Sequence, residues 1–301
     1  MLKLRAIRRR RVSASDVVID TFVYSVLFIV FFCSVYPLFL AIIMSFNEGL
    51  DAQLGGIYFW PRKFTLQNYK NFFSDDTWLK SMGISLIRTV VGTFCTVFFT
   101  AIVSYGLSHR NLIGRKIYIS LVIFAMYFSG GIIPYYTILR SLGLLDKFIV
   151  YIIPMMLNLF YVLVAISFFQ GIPDEMEEAA RVDGAGELRI FFTIIIPMAA
   201  PLLATIAIFV SVQHWNAWYD AAFYVRDQNL MPLAYRMMAI IKRSDLNNIS
   251  AQSAMAASTV RVTPLSVQMA AMTIAVLPII SVYPFFQRYI ITGITIGSVK
   301  G

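Results

Sequence analysis

Between residues 17 and 290 the chain alternates long apolar runs with shorter polar stretches, and no other feature restricts its fold as tightly. The runs cover residues 17–46, 82–107, 117–139, 148–169, 198–223 and 263–290. A hydrocarbon layer roughly 30 Å thick is crossed by about 20 helical residues, so each run is long enough to span it. At that depth backbone N–H and C=O groups find no water and must pair within the chain. The pattern therefore predicts an all-α membrane protein with six transmembrane helices. A hydrophobic content of 59% over 301 residues and a mean hydropathy of +0.73 exclude an ordinary soluble domain. Pro37 is expected to kink the first span, and Ser129-Gly130-Gly131 with Pro134 to break the third.

Orientation follows from the ends. Lys3, Arg5 and Arg8 to Arg11 precede the first run, so residues 1–16 read as a basic cytoplasmic N-terminus. The run that follows is too long for a signal peptide and has no small-residue cleavage site. Six spans return residues 291–301 to the same side as a cytoplasmic tail. Residues 47–81 and 224–262 then lie outside, and residues 170–197 inside. The last external stretch carries Arg226, Arg236, Lys242, Arg243 and Arg261, against the charge rule, so the N-terminal block decides. The net charge of +9 is scattered between spans, which suits the headgroups of a lipid bilayer and not nucleic acid.

The polar interruption at 170–197 reads as helix, turn, helix. Pro173 suits a first helical position, and Asp174, Glu175, Glu177 and Glu178 favour the positive end of the helix dipole. Gly184 ends the helix in a left-handed conformation, Asp183 is a cap for the next one, and Pro197 closes it. Other chemistry is missing. There is no phosphate-binding GxxxxGK[ST] loop and no cluster with metal-ligand spacing; Cys33 and Cys95 read as free thiols in apolar surroundings.

Glu178-Ala179-Ala180, three residues, Gly184, nine residues, Ile194 and then Ile196-Pro197 resemble the EAA loop of ABC-importer permeases, with Ile196 where that pattern has Leu. Phe128 to Pro134, Leu142 to Asp146, Trp215-Asn216, Pro232-Leu233, Gln287-Arg288-Tyr289, Gly293, Gly297 and Val299-Lys300-Gly301 are similar to the maltose-type, carbohydrate branch of that family. The resemblance covers nearly the whole chain. It implies a type I permease of the bacterial inner membrane, moving oligosaccharides by alternating access, with uronate-containing fragments of alginate or pectin among the substrates. It further implies a homologous second permease subunit, two ATPase subunits carrying ATP and Mg, and an extracytoplasmic solute-binding protein. No cofactor is then expected on this chain, nor any catalysis. Glu178, Ala179, Ala180, Arg181, Asp183, Gly184, Ile194 and Pro197 would form the ATPase-coupling loop, with Glu178 and Arg181 facing charges at the rim of the partner.

A sugar needs aromatic faces for its C–H surfaces and fixed polar groups for its hydroxyls. Trp215, Asn216, Trp218, Tyr219 and Asp220 offer both at the end of the fifth span; an interfacial aromatic belt is the competing reading. Tyr135, Tyr136, Asn158 and Tyr161 are further candidates, with helix packing as their alternative. Arg88 and Arg140 could meet a uronate, or snorkel to the outer surface. The small polar stretch 247–259 matches the position where the carbohydrate branch extends a loop to the binding protein; as bare sequence it is equally a disordered loop. Two other functions remain open: a permease of the same superfamily for a non-sugar solute such as an amino acid or polyamine, and a membrane scaffold or sensor that transports nothing.

Overall fold

The computed structural model describes residues 14–248 and 263–298. The basic block at 1–11, residues 249–259 of the small polar stretch and residues 299–301 of the tail lie outside the described residues. Within them the chain is helical, with no strand and one isolated antiparallel bridge between Asn47 and Phe64. Among the described residues three helices are long and apolar enough to cross a membrane, or up to six if each bent helix pair counts as one span. The chain divides into two compact units, Met1–Tyr69 with Val260–Thr273 and Lys70–Thr259 with Ile274–Gly301.

In the first unit, α1 (Ala14–Ser45) is one continuous helix with Pro37 inside it. The helix runs on through Pro37: a proline removes one N–H, and the rest of the ladder carries the helix past it. Its apolar side chains are exposed along most of the helix, and burial sets in at Ile43. Beyond it lies α2 (Gly49–Gln53). Buried amides fasten this segment. Asn47 Nδ2 donates to Asp51 Oδ2 at 2.9 Å, and Asn47 Oδ1 accepts from Lys63 N–H at 2.9 Å. Asn68 Nδ2, from α3 (Gln67–Ser74), donates to the carbonyls of Ser45 and Asn47 at 2.8 and 2.9 Å. The Asn47 bond, reinforced by Arg62, holds the Asp51 carboxyl below its ordinary range.

The second unit is built on α4 (Asp76–Ser108), capped by Asp75, whose carboxylate accepts from Thr77 N–H at 2.8 Å. Its buried face reads Ser81, Ser85, Arg88, Gly92, Thr96, Thr100 and Ser104, steps of three or four residues that stay on one side of a helix. Small residues let neighbouring backbones approach, and hydroxyls bond across helices. Thr96 Oγ1 donates to Met155 C=O at 3.0 Å, Ser104 Oγ to Val162 C=O at 3.2 Å, and Ser85 Oγ accepts from Leu233 N–H at 2.8 Å.

Around α4 the remaining spans are bent. Helices α5 (Arg115–Tyr127) and α6 (Ile132–Ser141) meet at 118° across the Ser129-Gly130-Gly131 break, with Gly131 at a positive φ of 81°. The tightly wound stretch Phe148–Met155 meets α7 (Leu159–Phe169) at 43°. Helix α8 (Glu175–Val182) is followed by α9 (Glu187–Met198), which meets α10 (Ala200–Asn216) at 77°. A short α11 (Tyr219–Tyr224), α12 (Leu233–Asn248) and α13 (Pro264–Ser298) complete the chain. The sequence reading missed α12, and α13 runs eight residues past the expected end of its span.

Helix α10 packs on α4 where Gly92 faces His214. A Cβ on Gly92 would lie 2.5 Å from the His214 ring, inside any tolerable contact. Gly92→Ala should therefore lower thermal stability by about 1–3 kcal/mol through overpacking. Adding His214→Ala should restore much of the loss in the same unfolding measurement.

Candidate functional sites: a docking loop and an aromatic cleft

The loop is set by one glycine. Gly184 has φ of +81°, its N–H bonds to Arg181 C=O at 3.0 Å, and Ala185 N–H reaches Ala180 C=O at 2.9 Å. This paired closure uses up carbonyls that a helix end would leave orphaned. Two local expectations are corrected. Pro173 lies ahead of α8, whose N-terminal flank is Asp174, and Asp183 ends α8 without capping α9, whose N-cap is Gly186. A glycine can enter α9 in extended conformation, so no side-chain cap is needed there.

The loop has a buried and a free side. Ala180 is buried with Ile190, Phe191, Ile195, Phe169 and Ala101, which allows α8 to lie close on the bundle. Glu178, Ala179 and Asp183 are exposed, flanked by Val182 at 88% and Leu188 at 75%. Arg181 is engaged within the chain while 41% of its side chain stays exposed. It donates to Glu187 at 2.8 Å and Glu177 at 3.0 Å, and the Glu187 bond raises its pKa further. Ile194 sits in a widened π turn, Phe191–Ile195, where Ile196 N–H reaches back to Phe191 C=O. Pro197 is exposed and does not close the helix. A proline lacks only its own N–H, so the wider turn ahead of it keeps the chain helical until the bend at Ala199.

The structure separates the aromatic segment that the sequence groups together. Trp215 is largely buried, and its Nε1–H donates to Ala275 C=O at 3.0 Å. Trp215, Asn216 and Trp218 together line a cavity of about 170 Å³, with Lys242 Nζ 5.3 Å from the Trp218 ring centre. Tyr219 lines a different cleft of about 470 Å³ with Tyr135, Tyr224, Ile138 and Ser129 to Gly131. Tyr135 and Tyr224 meet edge to face at 5.6 Å, and Tyr136 tilts against Tyr224 at 6.4 Å. Tyr224 was missed as a site residue; its place in the cleft is set by its ring contacts with Tyr135 and Tyr136, which the sequence does not show. Asn158 caps α7 by accepting from Phe160 and Tyr161 N–H, and Tyr161 packs on the loop's apolar cluster.

Arg88 and Asp220 are corrected as ligand contacts. Arg88 is 0% exposed and pairs in bidentate fashion with Asp220, donates to Ala217 C=O at 3.2 Å and lies 4.5 Å from the Tyr151 ring centre. A charge that deep needs an opposite charge, and Asp220 supplies it. Neither snorkelling nor a uronate contact describes it. Arg140 is exposed in the last turn of α6, where a cation complements the helix dipole. Behind the cleft, Asp146 takes φ of +59° and accepts from Arg226 and Asp227 N–H, both at 2.8 Å. Those bonds, Asp227 foremost, keep its carboxyl below its ordinary range.

Similarity to known proteins extends over nearly the whole chain. Residues 8–296 match the family described as binding-protein-dependent transport system inner membrane component. The protein LplC of Bacillus subtilis is 39% identical over 271 residues, covering 89% of this chain and 90% of its own. The polygalacturonan/rhamnogalacturonan transport system permease protein YtcP of Bacillus subtilis is 34% identical over 287 residues, covering 94% and 98%. A chain of a bacterial ABC transporter involved in the import of the acidic polysaccharide alginate superposes with a TM-score of 0.83 at 28% identity, covering 92% and 98%.

Two outcomes follow from the geometry. Gly184→Ala should destabilise the loop by about 1–2 kcal/mol, and Gly184→Asn by less, because an L side chain is strained at that φ; protease cleavage of the α8–α9 turn reads it. Arg88→Met or Asp220→Leu alone should cost about 3–5 kcal/mol by stranding a buried charge, whereas the double replacement should recover most of it in thermal unfolding.

Proposed function

Because this chain belongs to the family of binding-protein-dependent transport system inner membrane components, we propose that it is the permease subunit of an ABC importer for oligosaccharides, uronate-containing ones in particular. The observation that carries the coupling part is the docking loop. A helix closed by Gly184 presents Glu178, Ala179 and the bare apolar side chains of Val182 and Leu188, while Ala180 roots it in the bundle. An apolar centre within a charged surround suits a protein interface. The acidic sugar class is supported by the polygalacturonan/rhamnogalacturonan relative and the alginate-importer neighbour. The aromatic cleft supports a sugar of either charge.

In this reading residues 170–197 and both termini face the cytoplasm. Two ATPase subunits, holding ATP and Mg, grip the loop of this chain and that of a homologous second permease. Their closure rocks the permeases from inward-facing to outward-facing, an extracytoplasmic binding protein delivers the sugar, and hydrolysis resets the cycle. This subunit makes and breaks no bonds. Its work is to turn a pull on a short loop into movement of packed helices, which respond as units because their interiors are close-packed.

Reconstitution with the second permease, the ATPases and the binding protein should give ATP-driven uptake of labelled oligogalacturonate that neutral oligosaccharides compete for weakly. Tyr219→Ala should reduce that uptake by roughly tenfold or less, the scale of one lost aromatic contact of about 0.5–1.5 kcal/mol. Uptake of amino acids or polyamines in place of sugars would refute the substrate class.

A further inference from the structure

The docking loop touches the bundle at a second, polar point that its motif does not include. Glu177 lies one residue before the motif's Glu178 and points the other way, with its side chain 14% exposed. Its Oε2 lies 3.2 Å from Nε2 of His109, the residue that ends α4. The other ring nitrogen, Nδ1, is 2.9 Å from Tyr105 C=O, one turn back on the same helix. A carbonyl and a carboxylate can only accept, so both bonds are made together when the ring carries both protons. The Tyr105 ring meets His109 edge to face at 4.7 Å and also packs on Phe169 and Phe191. Gln170, just ahead of the loop, adds a bond from Nε2 to Ser108 C=O at 3.4 Å.

We propose that Glu177 is a positioning residue for coupling: through His109 it fastens the docking helix α8 to the end of α4, so that a pull on the loop is passed directly into that helix. The inference rests on the transport reading above. The apolar seat of Ala180 holds α8 against the bundle but lets it slide, because such contacts have no fixed direction. The Glu177–His109 bond has direction, since it depends on distance and angle. What α4 carries makes the link consequential. Its buried face holds Ser85, bonded to the start of α12, and Arg88, bonded to α11 beside the aromatic cleft. A displacement entering at His109 reaches the cleft along one continuous helix.

The test is the reconstituted complete transporter, scored as oligogalacturonate moved per ATP hydrolysed. Glu177→Ala and His109→Ala should each lower that ratio at least threefold while the complex still assembles and still hydrolyses ATP. The double variant should be no worse than the poorer single, since one link can be broken only once. Glu177→Gln, which keeps an acceptor of the same length, should fall between. Unchanged ratios in both single variants would overturn the coupling role, as would losses that multiply in the double variant. If the alanine variants fail to assemble, Glu177→Gln decides on the same ratio, and a wild-type value there overturns the proposal. A wild-type complex that takes up no sugar at all would instead sink the transport reading.

Discussion

A guanidinium taken out of water into the middle of a helical unit is tolerable only if something ionised meets it, and in this protein Asp220 meets Arg88. The pair joins residues 132 positions apart in sequence, so it fixes long-range geometry that no local preference could set. Arg88 also bonds Ala217 C=O and sits over Tyr151, which in turn donates to Leu230 C=O at 3.0 Å. Asp220 lies on the six-residue α11, whose first and last residues, Tyr219 and Tyr224, line the aromatic cleft. So short a helix cannot hold itself in water or lipid by its own hydrogen bonds. The ion pair holds it, and the walls of the cleft depend on that.

Helix α4 is the element through which this constraint spreads. Apart from Arg88, its buried side from Ser81 to Ser104 carries small hydroxyl residues and Gly92 at helical spacing, and the place of a side chain at Gly92 is filled by the His214 ring. Close approach without bulk gives tight van der Waals packing, and the hydroxyls take up carbonyls left free where the adjacent spans break. Thr96, for instance, meets Met155 C=O at the tightly wound turn ahead of α7. The bent spans and the hydroxyl face of α4 therefore belong together. A bend exposes backbone polar groups at depth, and α4 answers some of them.

What could be read in the sequence was what depends on short range. Gly184 as a helix terminator, the break at Ser129-Gly130-Gly131 and the apolar spans all follow from a few adjacent residues, and each is present. The bends of 118°, 43° and 77° were not legible, because an angle depends on what packs on the far side of the break. Arg88 was noticed as costly but was assigned to solvent or ligand, since its partner is named by tertiary contact alone. Asn158 was weighed as a packing residue or a ligand, yet the asparagine that precedes an apolar run is the ordinary cap of a helix, and that signal was in plain view. Trp215 to Asp220 looked like one site because the letters are contiguous, while a helix end and a new helix start divide them: Trp215, Asn216 and Trp218 share one cavity, Tyr219 lines another and Asp220 pairs with Arg88.

The two faces of α8 show why its motif mixes small, acidic and apolar residues. Ala180 must be small because it is pressed onto Phe169, Ile190 and Phe191, and anything larger would lift the helix off the bundle. Glu177 bonds to His109, and Arg181 bridges Glu177 and Glu187, so both are already engaged within the chain. That leaves Glu178 and Ala179, with Val182 and Leu188 bare beside them. Two large apolar side chains so exposed on an acidic loop lose burial energy worth about 1.5–3 kcal/mol each, which a second protein can recover by covering them. The carboxylates keep the loop in water until that happens, and they bias the partner toward a groove with a positive rim. The internal bonds then decide where the force goes once the groove has closed on the loop. A partner that grips Val182 and Leu188 pulls on a helix whose inner side is anchored by Ala180 and Glu177, and the load passes into α4.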